Sequence, residues 1–109
     1  MVTPLGLTRD ETFSAALSGQ SAIGTAPDAI VQLLPQALSA QVSGSFEAKL
    51  TNAQTRLDRG TQFAIVAANE AIQDAGFKAN AHQKERTGVY VGVGMGGAQT
   101  IDALHTRFF

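Results

Sequence analysis

The residues with the clearest chemical possibility form the stretch Gly88-Val89-Tyr90-Val91-Gly92-Val93-Gly94-Met95-Gly96-Gly97-Ala98-Gln99-Thr100. Read literally, Gly92 to Gly97 satisfies G-x-G-x-x-G, in which glycines let backbone amides approach a pyrophosphate at a helix N-terminus. That chemistry needs a strand before the loop, a helix after it, and an acidic residue about 20 positions further on to hold the ribose. The first two conditions are met by pattern: Val89, Tyr90, Val91 and Val93 make an apolar run, and residues 98–109 have helical spacing. The third falls beyond Phe109. The fingerprint also ordinarily follows the first strand of its domain, whereas here it comes late in the chain. A second reading is that the glycines allow a tight strand-to-helix turn, or the close approach of backbone to some other ligand. Both stay open on these residues alone.

Few other side chains could carry a reaction. The chain has no cysteine, so disulfides, thiolate metal sites and a thiol nucleophile are excluded within it. His82 and His105 stand far apart, which gives no histidine metal cluster; both read as surface or packing residues. A net charge of −1 without runs of like charge provides no electrostatic footprint for nucleic acid or an anionic membrane. No apolar run approaches the ~20 residues that span a bilayer. The opening Met1-Val2-Thr3-Pro4-Leu5-Gly6 lacks the basic and long apolar segments of a signal peptide. The expectation is a soluble, cytoplasmic protein of one small domain, with no cofactor or metal.

The elements that must position the loop follow from periodicity and caps. Thr8-Arg9-Asp10-Glu11 has the form of a capping box, in which the Thr8 hydroxyl can meet the Glu11 amide. The helix it starts is expected to bury Phe13, Ala16 and Leu17 and to stop at Gly19. Ser21 to Gly24 reads as a loop, Ile30 to Leu34 as a short helix ended by Pro35, and Ala37 to Ser43 as a weakly patterned strand. The strongest helix is expected from about Asp58 to Ala75, with Phe63, Ala67, Ala71 and Ile72 at helical spacing and Gly76 as its left-handed stop. Lys78 to Glu85 reads as a polar connection. Residues 89–93, apolar on both faces, are expected to be a parallel strand covered by helices, which makes the class α/β.

Several segments in order carry a resemblance. They are Thr3-Pro4-Leu5-Gly6, Leu17-Ser18-Gly19-Gln20-Ser21-Ala22-Ile23-Gly24, Leu57-Asp58-Arg59 before a small-residue helix, Gln73-Asp74-Ala75-Gly76, and Arg86-Thr87-Gly88-Val89 with Gly94-Met95-Gly96-Gly97. Together they resemble the N-terminal part of a β-ketoacyl-acyl carrier protein synthase, an elongating condensing enzyme. The free-standing type II synthases are a closer likeness than the ketosynthase domains of modular polyketide synthases. The resemblance covers nearly the whole chain. It implies a thiolase-like αβαβα fold, and a homodimer whose partner is acyl carrier protein loaded with acyl or malonyl groups. The implied reaction loads an acyl group onto an activated cysteine. Two histidines then support decarboxylation of malonyl-carrier protein, and the carbanion attacks the thioester.

None of those catalytic residues matches a position in this chain. Residues 1–109 are therefore expected to be a partial synthase domain, truncated at both ends, that is inactive and poorly stable by itself. The resemblance places Gly94, Met95, Gly96 and Gly97 beside an acyl channel, with Met95 lining it. It places Arg56 in a region where relatives dock the acidic carrier protein through several basic residues. Here Asn52, Ala53, Gln54 and Thr55 precede it, so the patch is thinned. Asp58 and Arg59 are expected to make structural contacts at the helix start. A non-catalytic chain-length factor of the same family, and a nucleotide-binding domain, are the alternatives.

Overall fold

The computed structural model describes residues 1–78, 80–94 and 96–109, with the backbone but not the side chains of Ala81 and His82. The chain is mixed, with helices and few strands, and divides into two compact units, 1–49 and 50–109.

The first unit opens on a tight corner. Thr3 and Gly6 exchange both backbone hydrogen bonds, at 2.9 and 3.2 Å, around Pro4, a residue whose fixed φ suits the second position of a turn. The Thr3 hydroxyl accepts from the Leu5 and Gly6 amides, both at 3.2 Å, and lies 3.0 Å from the Thr12 hydroxyl. Helix α1, Arg9–Leu17, packs directly on this corner. A Cβ on Gly6 would lie 2.6 Å from Glu11 Cβ and 2.8 Å from the Thr12 amide nitrogen, so only glycine fits. Thr8 caps α1 through the Glu11 amide at 3.2 Å, a contact of the kind that contributes about 1 kcal/mol. The reciprocal half of the capping box is displaced by one residue, since the Glu11 carboxylate accepts from Leu7 at 2.7 Å.

Strands β1, Ile23–Thr25, and β2, Leu38–Ala40, pair antiparallel with Ile23 opposite Ala40. A hydrogen bond from the Ala26 amide to Ala37 O continues the ladder, and helix α2, Asp28–Val31, lies in the connection. Ala15, Ala26 and Phe46 are the buried apolar residues of this unit, Phe46 completely.

The second unit is organised by helix α3, Arg59–Asp74. Asp58 caps it, accepting from the Gly60 amide at 3.0 Å, and the helix ends at Ala75 with Gly76 following at positive φ. Gln62 and Val66 are buried. Helix α4, Ala81–Glu85, carries a complete capping box between Asn80 and Gln83. Helix α5, Ala98–Phe108, starts from Gly97. No helix among the described residues is long and apolar enough to cross a membrane.

Several expectations are corrected. Residues 89–93 form no strand, and Val89 and Tyr90 are 86% and 96% exposed. A strand exists only by pairing, and residues 88–94 make no backbone hydrogen bond with any other described residue. The one sheet among the described residues is accordingly antiparallel rather than parallel. Phe13, Ala16 and Leu17 of α1 are exposed, and Ala15 is the residue that packs inward. In α3 the buried face is turned toward Gln62 and Val66, leaving Ala71 and Ile72 exposed. Finally, Ile23 to Thr25 is a strand where Ser21 to Gly24 read as a loop, and the connection of residues 78–85 contains α4. The helix boundaries at Thr8, Gly19, Asp58 and Gly76 stand as expected, and Leu38–Ala40 is a strand inside the expected range.

Candidate functional site

The candidate residues lie in the second unit, on two segments that a carboxylate joins. The first runs from Thr51 to Gln62. Thr51 and Gln54 cap each other: the Thr51 amide donates to the Gln54 side-chain carbonyl at 2.9 Å, and the Gln54 amide meets the Thr51 hydroxyl at 3.4 Å. This reciprocal pair opens a 3₁₀ turn, Gln54–Arg56. The Thr55 hydroxyl donates back to Asn52 O at 2.9 Å. Arg56 is exposed at the end of the turn.

Gln62 secures the end of that turn. It is only 6% exposed, and its side-chain amide donates to Thr55 O at 3.1 Å and Leu57 O at 2.8 Å. Both partners are carbonyls, so the amide nitrogen rather than the oxygen must face them. Burial of an amide is tolerated when its donors are satisfied. Arg56 therefore sits between two carbonyls held by one buried side chain. Arg59, the first residue of α3, follows with its guanidinium carbon 5.0 Å from the centre of the Phe63 ring.

The second segment is the glycine turn. Gly94 is exposed in a bend, and a Cβ placed on it would meet nothing within 4 Å. At Gly96 a Cβ would fall 2.5 Å from Val93 Cγ1, so the missing side chain leaves room for valine. Gly97 has φ 79°, the left-handed region that glycine enters without steric cost, and this sets the direction of α5. Met95 lies outside the described residues.

Asp58 links the two segments. One carboxylate oxygen caps α3 through Gly60, and the other accepts from the Thr100 hydroxyl at 3.1 Å. Asp58 follows Arg56 closely and Thr100 lies in the first turn of α5, just after Gly97. The start of α5 is thus tied to the start of α3. Acidic capping at the positive end of α3 is electrostatically favourable, whereas Arg56 and Arg59 near that end gain nothing from the helix dipole.

The expected structural part of Asp58 is present in the Gly60 and Thr100 contacts. Thr100, Gln62 and the Thr51–Gln54 pair are functional contacts beyond the sequence expectations. The last had a visible signal, Thr-x-x-Gln ahead of a turn; Gln62 had none, since a polar residue on a helix ordinarily reads as solvated. His105 stacks at 4.9 Å on Phe109, tilted by 31°. No three histidine, cysteine or acidic residues gather to hold a metal among the described residues.

Comparison with known proteins defines what the arrangement is similar to. Residues 1–107 match the family model described as Beta-ketoacyl synthase, N-terminal domain. The 3-oxoacyl-[acyl-carrier-protein] synthase 2 of Staphylococcus aureus is 34% identical over 114 residues, which is 97% of this chain and 27% of that protein. The 3-oxoacyl-[acyl-carrier-protein] synthase 2 of Vibrio cholerae is 29% identical over 107 residues, 96% of this chain and 26% of that protein. The chain spans about a quarter of the length of these curated relatives. No solved structure matches it.

Proposed function

The chain belongs to the β-ketoacyl synthase family by its N-terminal domain, and from this we propose that it serves an elongating condensing enzyme of fatty-acid synthesis. The observation that carries the proposal is the family match along residues 1–107 together with the 34% identity to a 3-oxoacyl-[acyl-carrier-protein] synthase 2. In this reading the longer protein adopts a thiolase-like fold, works in the cytoplasm as a homodimer, and condenses an acyl primer with malonyl-carrier protein. The cysteine that forms the thioester lies outside these 109 residues, since this chain has no cysteine, and neither His82 nor His105 matches the histidines that assist decarboxylation. What this chain supplies is scaffold and contact surface.

Two contacts are assigned to it. Arg56, exposed at the end of its turn, faces the acidic carrier protein; electrostatic complementarity acts there mainly on the rate of encounter. Gly94, Met95, Gly96 and Gly97 border the acyl channel, and the exposure of Gly94 and Gly96 supports that use. The dinucleotide alternative draws no support from the family match.

The test is an assay of the full-length protein with acyl- and malonyl-carrier protein. A β-ketoacyl product is expected, and none from the 109-residue chain alone; a full-length protein that binds both carriers but forms no product would instead be the non-catalytic relative. Met95→Phe in the full-length protein should slow acylation by long primers roughly ten- to hundredfold, the equivalent of overfilling a packed site by about 1–3 kcal/mol. Short primers should react as before. An equal slowing at every primer length would make Met95 core filling.

A further inference from the structure

We infer that Gln62, a buried residue that no carrier protein could touch, positions Arg56 for docking by fixing the backbone on both sides of it. The inference rests on the carrier-docking reading of Arg56 and adds a residue that acts through it. Its basis is geometric. The side-chain amide of Gln62 is 6% exposed and spends both donors on Thr55 O and Leu57 O, the carbonyls that flank Arg56 in sequence. At its other end the same turn is closed by the mutual capping of Thr51 and Gln54. Between these two anchors the Leu57 amide donates to Gln54 O at 3.1 Å, which leaves residues 54–57 little freedom.

A lone exposed arginine on a mobile loop would lose backbone and side-chain entropy on meeting its partner. That cost falls when the backbone is already ordered. Pre-organisation matters more here because the preceding positions, Asn52 to Thr55, carry no further positive charge to share the work. The α3 helix supplies the rigid part: Gln62 is one turn in from Arg59, so the clamp refers the docking residue to the helix rather than to the loop. A glutamine suits the position because it carries two donors on a neutral group, which can be buried against two carbonyls without a charge to compensate.

The experiment is a double-mutant cycle on affinity for acyl carrier protein, measured by equilibrium titration of the full-length protein. Arg56→Ala is expected to weaken binding about fivefold, and Gln62→Met, which keeps side-chain length but removes both donors, about threefold. If Gln62 acts through Arg56, the double variant binds like Arg56→Ala alone, because the interaction energy of the cycle cancels the second loss. Independent effects that multiply would overturn the inference while leaving the docking reading intact. An Arg56→Ala variant that binds like the unsubstituted protein would overturn both. A second measurement needs no change at Gln62: saturation with carrier protein should slow hydrogen exchange of the Gln62 side-chain amide at least about threefold, as binding favours the closed clamp. Unchanged exchange under saturation would also overturn the inference.

Discussion

The corner at residues 3–12 and the segment at 88–97 both contain a glycine that a side chain would crowd, yet they are opposite kinds of structure. At the corner, Gly6 lies against Glu11 Cβ and the Thr12 amide, and the hydroxyls of Thr3, Thr8 and Thr12 satisfy nearby backbone groups. Every partner is within a few residues. At the other segment, a Cβ on Gly88 would meet the Tyr90 ring at 2.8 Å, but the ring belongs to a residue that is 96% exposed. The backbone of residues 88–94 has no backbone partner among the described residues. Crowding against backbone constrains a fold, whereas crowding against the tip of an exposed side chain constrains very little.

The comparison can be broken by substitution. The largest effect is expected from Gly6→Ala, which must displace the α1 backbone. A loss of about 3 kcal/mol, at the upper end for overpacking, would appear as a roughly hundredfold drop in amide-exchange protection across α1. A drop under about threefold would mean the corner yields easily. Asp58→Ala removes a cap and a tether together, and should cost α3 about 1–2 kcal/mol, read as lost protection in its first turns. Were Thr100→Val to cost as much as Asp58→Ala, the tether and not the cap would dominate. Thr8→Ala should cost about 1 kcal/mol, with Glu11 still holding the Leu7 amide. Smallest is Gly88→Ala, which should change stability by less than about 0.5 kcal/mol, because Tyr90 can rotate away. A large loss there, by thermal unfolding of the full-length protein, would erase the contrast with Gly6.

The same contrast explains what was legible in the sequence. Caps and stops were readable because their chemistry is short-range: Thr8 with Glu11, Asp58 before α3, and Gly19 and Gly76 after their helices. Burial was less readable. Phe13 and Leu17 have the spacing of a core face, but spacing does not say what covers it, and in this chain Ala15 is the covered residue. The apolar run of residues 89–93 carries strand propensity without strand neighbours, so propensity alone does not produce the element. At the candidate site, the type of Arg56 and the glycines could be read from sequence and likeness. The clamp of Gln62 could not, because it depends on a helix side chain turning back to carbonyls that precede the helix. Nor could the Thr100 contact, which spans 42 positions.

That last contact has a consequence for the order in which the second unit assembles. The Asp58 cap on Gly60 is local and can form as α3 nucleates, on the microsecond scale of helix formation. The bond to Thr100 must wait until a loop of 42 positions has closed, an entropic cost that local pairs do not bear. One carboxylate therefore takes part in an early and a late event through its two oxygens. Thr100→Val should leave the refolding rate unchanged and speed unfolding, giving a φ-value near zero, while substitution of Asp58 slows refolding as well. The junction of the two helices is thus expected to close late in folding and to open early in unfolding.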